Sequence, residues 1–254
     1  MAPPAHPGLL RVPDFGAVHA FTTRSGGVSG GPYRTLNLGL STGDAPEAVH
    51  ENRRRVREAL GLDPARVAQV HQVHGATVVS ARDATPEVEA DAIVTDDPAW
   101  TLSVSYADCV PVLLYDPVAP AVGAVHAGWR GAVHGVVGAT VRSMTRRFGT
   151  DPALLWAAIG PAVSGARYQV GPEVVDAFAA AGFDAAHARP DPEVTGRYRY
   201  DMPGAVAEAL AASGIPTARL RNGGWCTVSD ASRFYSHRRD GRRTGRHWAL
   251  VRLP

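Results

Sequence analysis

The 254-residue chain predicts a mixed α+β fold, with strands and helices interleaved in one domain spanning 1–254. Two features lead there. Apolar runs of strand length, TLSVSY, VPVLLYDP and AVGAVHA, crowd the centre of the chain. Stretches with helical spacing surround them, in an order that lacks the regular βαβ rhythm of a doubly wound sheet. No internal repeat, low-complexity block or linker divides the chain.

Taken in order, residues 21–44 (FTTRSGGVSGGPYRTLNLGLSTGD) hold six glycines and predict a long loop. A helix follows, opened by Pro46 and Glu47, with Val56 and Leu60 on one face and Gly61 as its stop. RVAQVHQVHGATVVSA predicts two short strands around HQVHG, and ADAIVTD another strand. Beyond the central strands, residues 131–149 predict a helix with a small-residue face. WAAIGPAV reads as a short buried strand ending in Gly-Pro. PEVVDAFAAAGF and MPGAVAEALAASGI begin near a proline and end at a glycine, as helices do. Cys226 follows GGW in a strand or turn, and HWALVRLP predicts an apolar edge strand.

Composition narrows the function classes. A formal net charge of +2 gives no electrostatic case for nucleic acid or a membrane surface. Every one of the 26 basic residues is arginine, which removes Schiff-base and P-loop lysine chemistry. Two cysteines do not make a disulfide framework and fit a reducing compartment. MAPPAHPGLL lacks the basic start and apolar core of a signal peptide, and no uninterrupted apolar stretch is long enough to span a bilayer. The expected setting is cytoplasmic.

Cys109 and His126 each stand at the limit of an apolar run, where a loop is expected. With His71 they supply two imidazoles and a thiolate, good ligands for zinc. A set of three leaves a fourth tetrahedral position for water or substrate, as catalytic zinc sites do. The spacings of 38 and 17 residues match no short metal signature, and His74, three residues on, competes with His71. Cys109 and His126 equally suit a nucleophile–base pair, with Asp108 or another acid orienting the imidazole. The residues alone leave both alternatives open.

Arginines form a second group: Arg24 in TTRSGG, Arg130 in GWRG, and Arg238, Arg239, Arg242, Arg243 and Arg246 in HRRDGRRTGRH. They suit either a solvated basic face or capture of phosphate or carboxylate through bidentate guanidinium contacts. Glycines beside Arg24 and Arg130 would let backbone amides approach the same anion. Tyr33, Tyr106, Trp129, Tyr168 and Phe234 are core residues or base-stacking platforms. Asn37 in TLNLG suits a turn, with substrate contact as the alternative.

FTTRSGGVSGGPYRTLNLG, HQVHG, ADCVPVLLYDP, VGAVHAGWRGAVHG, AIGPAVSGARYQVG and the terminal WCT…RFYSHRRDG…TGRH occur in this order. Together they resemble the laccase-domain family, once called multicopper polyphenol oxidases and now described as purine nucleoside phosphorylases. The resemblance runs from about residue 20 to 253. It implies a single-domain layered sandwich of mixed sheets flanked by helices, related to cysteine hydrolases of the cytotoxic-necrotizing-factor type. It also implies zinc held by His71, Cys109 and His126. The activities implied are phosphorolysis of adenosine, inosine and methylthioadenosine, and deamination of adenosine. Tyr106 before ADC and His237 in SHRRDG depart from the commoner family residues without touching the ligands.

Chemistry sorts these activities. A multicopper oxidase needs clustered His-x-His pairs, and none of the ten histidines forms one. Copper (Cu2+) in the same site would give weak oxidase activity as a side reaction. Deamination suits zinc, with Asp108 as the candidate proton shuttle in the absence of an H-x-E…P-C-x-x-C signature. Phosphorolysis needs phosphate held near C1′, for which Arg24, Arg130 and Arg238, with Asn37, are the candidate substrate residues. The expected partners are purine nucleosides and phosphate, and oligomeric state has no signal in the sequence. The rival activity is a cysteine hydrolase acting on an amide such as a cell-wall precursor, with Cys109 as nucleophile. A non-enzymatic zinc-stabilised binding protein is the third reading, and Cys226 as a fourth ligand would favour it.

Overall fold

The computed structural model describes residues 6–254; the first five residues, part of the stretch read for a leader peptide, lie outside the described residues. One sheet is formed by β1 (Leu9–Leu10), β2 (Val18–Thr22), β3 (Val67–Ala68), β6 (Thr101–Tyr106) and β14 (His247–Arg252). A second contains β4 (Val78–Ser80), β5 (Ala92–Thr95), β7 (Val110–Asp116), β8 (Ala121–Ala127), β9 (Trp156–Ile159) and β13 (Leu220–Asn222). A small third sheet holds β10 (Gln169–Val170), β11 (Ala188–Pro190) and β12 (Tyr198–Tyr200). The helices are α1 (Pro46–Leu60), α2 (Trp129–Val133), α3 (Val136–Phe148), α4 (Pro172–Ala180), α5 (Met202–Ala212) and α6 (His237–Asp240).

The strand orders are β1-β2-β14-β6-β3, β13-β9-β7-β8-β5-β4 and β10-β12-β11. Pairing is mixed, with β3·β6, β4·β5 and β9·β13 parallel and the other ladders antiparallel. The two large sheets face each other across Phe21, Ile93, Leu102, Val104, Leu113 and Val251. On the outer face of the six-stranded sheet, α3 and α5 pack onto Val94, Val112, Leu114 and Val125 through Val141, Met144 and Leu210. On the outer face of the five-stranded sheet, Val56 of α1 meets Trp248 and Leu250. This layered α+β sandwich fulfils the expectation from the sequence. It also explains the near-continuous apolar runs, because β7 and β8 are buried on both faces.

Two expectations are corrected. The C-terminal strand β14 lies between β2 and β6 and is not an edge. Its alternate residues serve both faces, Trp248 and Leu250 towards α1, Ala249 and Val251 towards the other sheet. The helix expected over 131–149 is two helices, because the chain makes a left-handed step at Gly135 (φ 78°).

His247, the first residue of β14, is fully buried, and its Nε2 accepts from the Tyr235 amide at 2.8 Å. Burial, reinforced by Arg24, depresses its pKa from 6.5 to about 3. The folded state therefore binds fewer protons than the unfolded chain between these values, and stability falls as pH drops below about 6.5. From this residue alone the loss is about 2 kcal/mol at pH 5. Urea midpoints at pH 7.5 and pH 5 are expected to differ much less in His247→Gln than in the parent chain. His19, shifted in the same direction by burial, contributes equally to both. Parallel pH dependences would reject the assignment.

Candidate metal centre and active site

The site forms where the chain passes between the two large sheets. The loop carrying HQVHG leaves β3 in one sheet and enters β4 in the other, and Ala107–Cys109 join β6 to β7 in the same sense. His126 stands near the end of β8, opposite Pro111 in the register of β7. Three segments distant in sequence thus meet at one end of the sandwich.

Cys109 Sγ lies 3.8 Å from His74 Nε2, and the His74 and His126 rings meet edge-on at 4.9 Å. One ligand atom from each of His74, Cys109 and His126 lies within 4.8 Å of the others. Gly128, after β8, leaves room for them. A Cβ there would stand 2.6 Å from His74 Cδ2 and 3.2 Å from Cys109 Sγ, so a side chain would push into the cluster.

The third member corrects the expected one. His71 lines the same cavity, but it is His74 that stands beside Cys109 and His126. The backbone decides this. His71 is fixed by a bridge to Glu89, its amide donating to Val88 O at 2.9 Å. Gln72 then turns to β6, exchanging two hydrogen bonds with the Ser105 backbone at 2.7 and 2.8 Å. Finally the loop wraps around the Asp91 carboxylate, which accepts from the amides of Val73 (3.2 Å), His74 (3.0 Å) and Gly75 (2.6 Å). That wrap delivers His74, in the left-handed conformation (φ 61°), to the thiol.

Asp91 is the acid that orients the imidazole. It is fully buried, and Oδ1 accepts from His126 Nδ1 at 2.8 Å, while its carbonyl accepts from the His126 amide. Burial alone favours the neutral acid, but His126 and the loop amides outweigh it and hold the carboxylate ionised. With Nδ1–H given to Asp91, Nε2 is the nitrogen left for the thiol side. Burial likewise opposes charge on Cys109 and His126. Their mutual attraction overrides it, pulling the thiol pKa down and the imidazole pKa up.

Asp108, the expected shuttle, is spent on structure. It sits at φ 88°, and its carboxylate accepts from Thr227 Oγ1 (2.5 Å), Ser236 Oγ (3.1 Å) and the Arg238 amide (2.6 Å). It lines the cavity while pinning the C-terminal loops beside the site, so most of its acceptor capacity is committed to structure. Asp91 gave only a weak signal in the sequence, an acid immediately before the apolar run AIVT.

The cluster opens on a cavity of about 740 Å³, a size typical of small-molecule sites. Arg130 and Arg238 both line it. Arg130 lies 4.4 Å over Trp129; Arg238 lies 5.0 Å over Tyr168 and donates to Gln169 O at 2.5 Å. Arg24 does not line this cavity. Its guanidinium donates to Arg34 O and Ala231 O and stacks on Tyr235, beside a separate surface hollow. Asn37 is also excluded, being fully buried as a loop brace. It accepts from the amides of Gly39 (3.0 Å) and Arg246 (2.9 Å) and donates to Thr42 and Asp44. Its turn role prevails over substrate contact. Arg53, Gln69 and Gln72 also line the cavity; Arg53 carries no sequence signal because α1 reads as an ordinary charged amphipathic helix, and the two glutamines lie in the loop after β3.

The donor set fits a metal ion. Zinc bonds of about 2.0–2.3 Å require ligand atoms about 3.5 Å apart, so small side-chain adjustments from the present spacing would close the cage. Cys226 is not part of this group; its Sγ accepts from the amides of Ser164 and Ser229, each at 3.4 Å. Among the described residues, no helix is long and apolar enough to cross a membrane.

Residues 18–254 match the family model described as multi-copper polyphenol oxidoreductase laccase. The chain belongs to this family. It is 43% identical over 246 residues to a purine nucleoside phosphorylase of Deinococcus radiodurans, covering 97% of this chain and 93% of the relative. A purine nucleoside phosphorylase of Pseudomonas aeruginosa is 43% identical over 232 residues, covering 91% of each. The fold matches the crystal structure of YlmD from Geobacillus stearothermophilus with a TM-score of 0.89 at 35% identity, over 97% of this chain and 96% of that one. It matches YfiH of Bacillus licheniformis with a TM-score of 0.91 at 31% identity, over 100% and 98%.

Proposed function

We propose that this chain is a zinc-dependent purine nucleoside phosphorylase that also deaminates adenosine. The observation that carries the reading is the His74–Cys109–His126 set opening on an arginine-lined cavity large enough for a nucleoside and phosphate together. Relatives that bear the phosphorylase name at 43% identity support it. Residue roles remain those that geometry favours: His74, Cys109 and His126 hold the ion, and Asp91 orients His126.

When bound, zinc supplies positive charge that polarises an oxygen ligand and eases its deprotonation near neutral pH. The protein's own residues do the rest. Trp129 and Tyr168 offer faces for the purine, and their stacked arginines keep both rings in place. Arginine side chains hold the phosphate so that one oxygen attacks C1′ as the C1′–N9 bond breaks, giving ribose 1-phosphate and free base. The family description points to copper, yet this cluster is the one group of three such ligands among the described residues. A multicopper site needs several, which supports zinc over the copper of the family description.

Incubation of metal-defined protein with adenosine, inosine and methylthioadenosine tests this. Base and the sugar 1-phosphate (ribose 1-phosphate, or 5-methylthioribose 1-phosphate from methylthioadenosine) are expected only with phosphate, and inosine from adenosine also without it. Absence of all three products would overturn the reading. The ordered Asp91–His126–Cys109 chain of contacts supports a second, the cysteine hydrolase. Amide hydrolysis that survives strong chelation, with alkylation of Cys109 blocked by zinc, would decide in its favour.

A further inference from the structure

The cavity has a second pair of cations. Arg53, from α1, and Arg246, just before β14, both line it, and neither forms an ion pair among the described residues. Both are half-buried, and desolvation lowers both guanidinium pKa values, that of Arg53 to about 10 and that of Arg246 against the attraction of Cys109 and Asp108. Cations withdrawn from water without a carboxylate partner are costly unless an anion joins them.

Both side chains are preorganised on one stretch of backbone. Arg53 Nε donates to Leu38 O at 2.8 Å, while the Leu38 amide donates to Arg246 O at 3.0 Å. Arg53 lies 4.8 Å over the Trp248 ring, with Nη1 reaching Gln69 Oε1 at 3.4 Å. Arg246 Nη1 donates to Thr244 O and Gly245 O, and its amide is held by Asn37. Among the described residues, Arg53 Nη2 and Arg246 Nε and Nη2 have no protein acceptor. Gly39 completes the arrangement: a Cβ there would stand 2.7 Å from Arg246 Cγ, so the glycine lets the arginine lie against the loop. Arg130, by contrast, stands alone on Trp129, and Arg238 is committed to Tyr168 and Gln169.

We propose that Arg53 and Arg246 form the subsite for the phosphate co-substrate, with Asn37 and Gly39 as its positioning residues. Two guanidinium groups with free N–H donors match a tetrahedral oxyanion. The assignment rests on the phosphorylase reading and gives the TLNLG segment its role. The shared chemistry, a phosphate dianion, is offered either by inorganic phosphate or by the 5′-phosphate of a nucleotide; the acceptor role requires the first.

Calorimetric titration with inorganic phosphate, and separately with AMP, tests it on the intact zinc-loaded protein. Arg53→Gln and Arg246→Gln are each expected to weaken phosphate binding at least about tenfold, as lost charged hydrogen bonds do, whereas Arg130→Gln and Arg238→Gln change it by less than about threefold. Gly39→Ala keeps both arginines and should weaken phosphate binding several-fold by crowding Arg246, so the site stays testable if a Gln variant does not fold. Undiminished phosphate binding in Arg53→Gln, Arg246→Gln or Gly39→Ala would overturn the subsite, as would Arg53-dependent binding of AMP alone. Arg53-dependent phosphate binding without ribose 1-phosphate would instead refute the phosphorylase reading. Ribose 1-phosphate formed with an unchanged phosphate KM in both Gln variants would refute only the subsite.

Discussion

Replacement of Asp91 by alanine is expected to abolish folding or come close to it. The carboxylate is fully buried and accepts from His126 Nδ1 and from the amides of residues 73, 74 and 75. Removing it strands four buried or half-buried donors at about 1–3 kcal/mol each, a sum comparable to the whole stability of a typical domain. Asp91→Asn is the informative variant. It keeps the shape but turns one acceptor into a donor that must face an N–H. A loss of about 3 kcal/mol in urea unfolding is expected, because a charged buried network is left partly unpaired. Zinc affinity should fall by about 10–100-fold, as it does when the group orienting a metal-bound imidazole is lost. Equilibrium unfolding and metal titration read the two effects separately. An Asn variant with unchanged zinc affinity would show that Asp91 serves stability alone.

Cys109→Ala is expected to eliminate both tight metal binding and ribose 1-phosphate formation. Loss of a ligand exceeds loss of a supporting group, so affinity should drop by more than about 100-fold. His74→Ala should behave alike, since His74 Nε2 is the imidazole atom 3.8 Å from the thiol. His71→Ala should retain metal and most of its activity, because the His71 backbone, not its ring, is what the loop uses. Full phosphorolysis by metal-free Cys109→Ala would remove the ion from the reaction. Loss of metal in His71→Ala together with its retention in His74→Ala would reverse the choice of histidine.

Most of the layering is legible in the chain. Doubly buried strands need apolar residues on both faces, so β7 and β8 stand out, and Pro46 with Gly61 brackets α1. Position within a sheet is not legible, which is why β14 reads as an edge although it lies between β2 and β6. Local spacing records which residues share a face of a strand; it holds no record of which strand comes alongside. The small β10-β12-β11 sheet escapes notice for a related reason, since its strands are only two or three residues long.

By itself the sequence determined that Cys109 and His126 would stand at strand limits, and that side chains able to ligate a metal and arginines able to pair with an anion would share one chain with a long glycine-rich loop. Tertiary structure alone decided the rest. His74 replaced His71 because three backbone amides close around Asp91, a residue 16 to 18 positions away. Asp108 became a pin for the C-terminal loops because its three donors lie 119 to 130 residues downstream. In each case a buried carboxylate must find its hydrogen-bond donors, and long-range folding determines which donors are there.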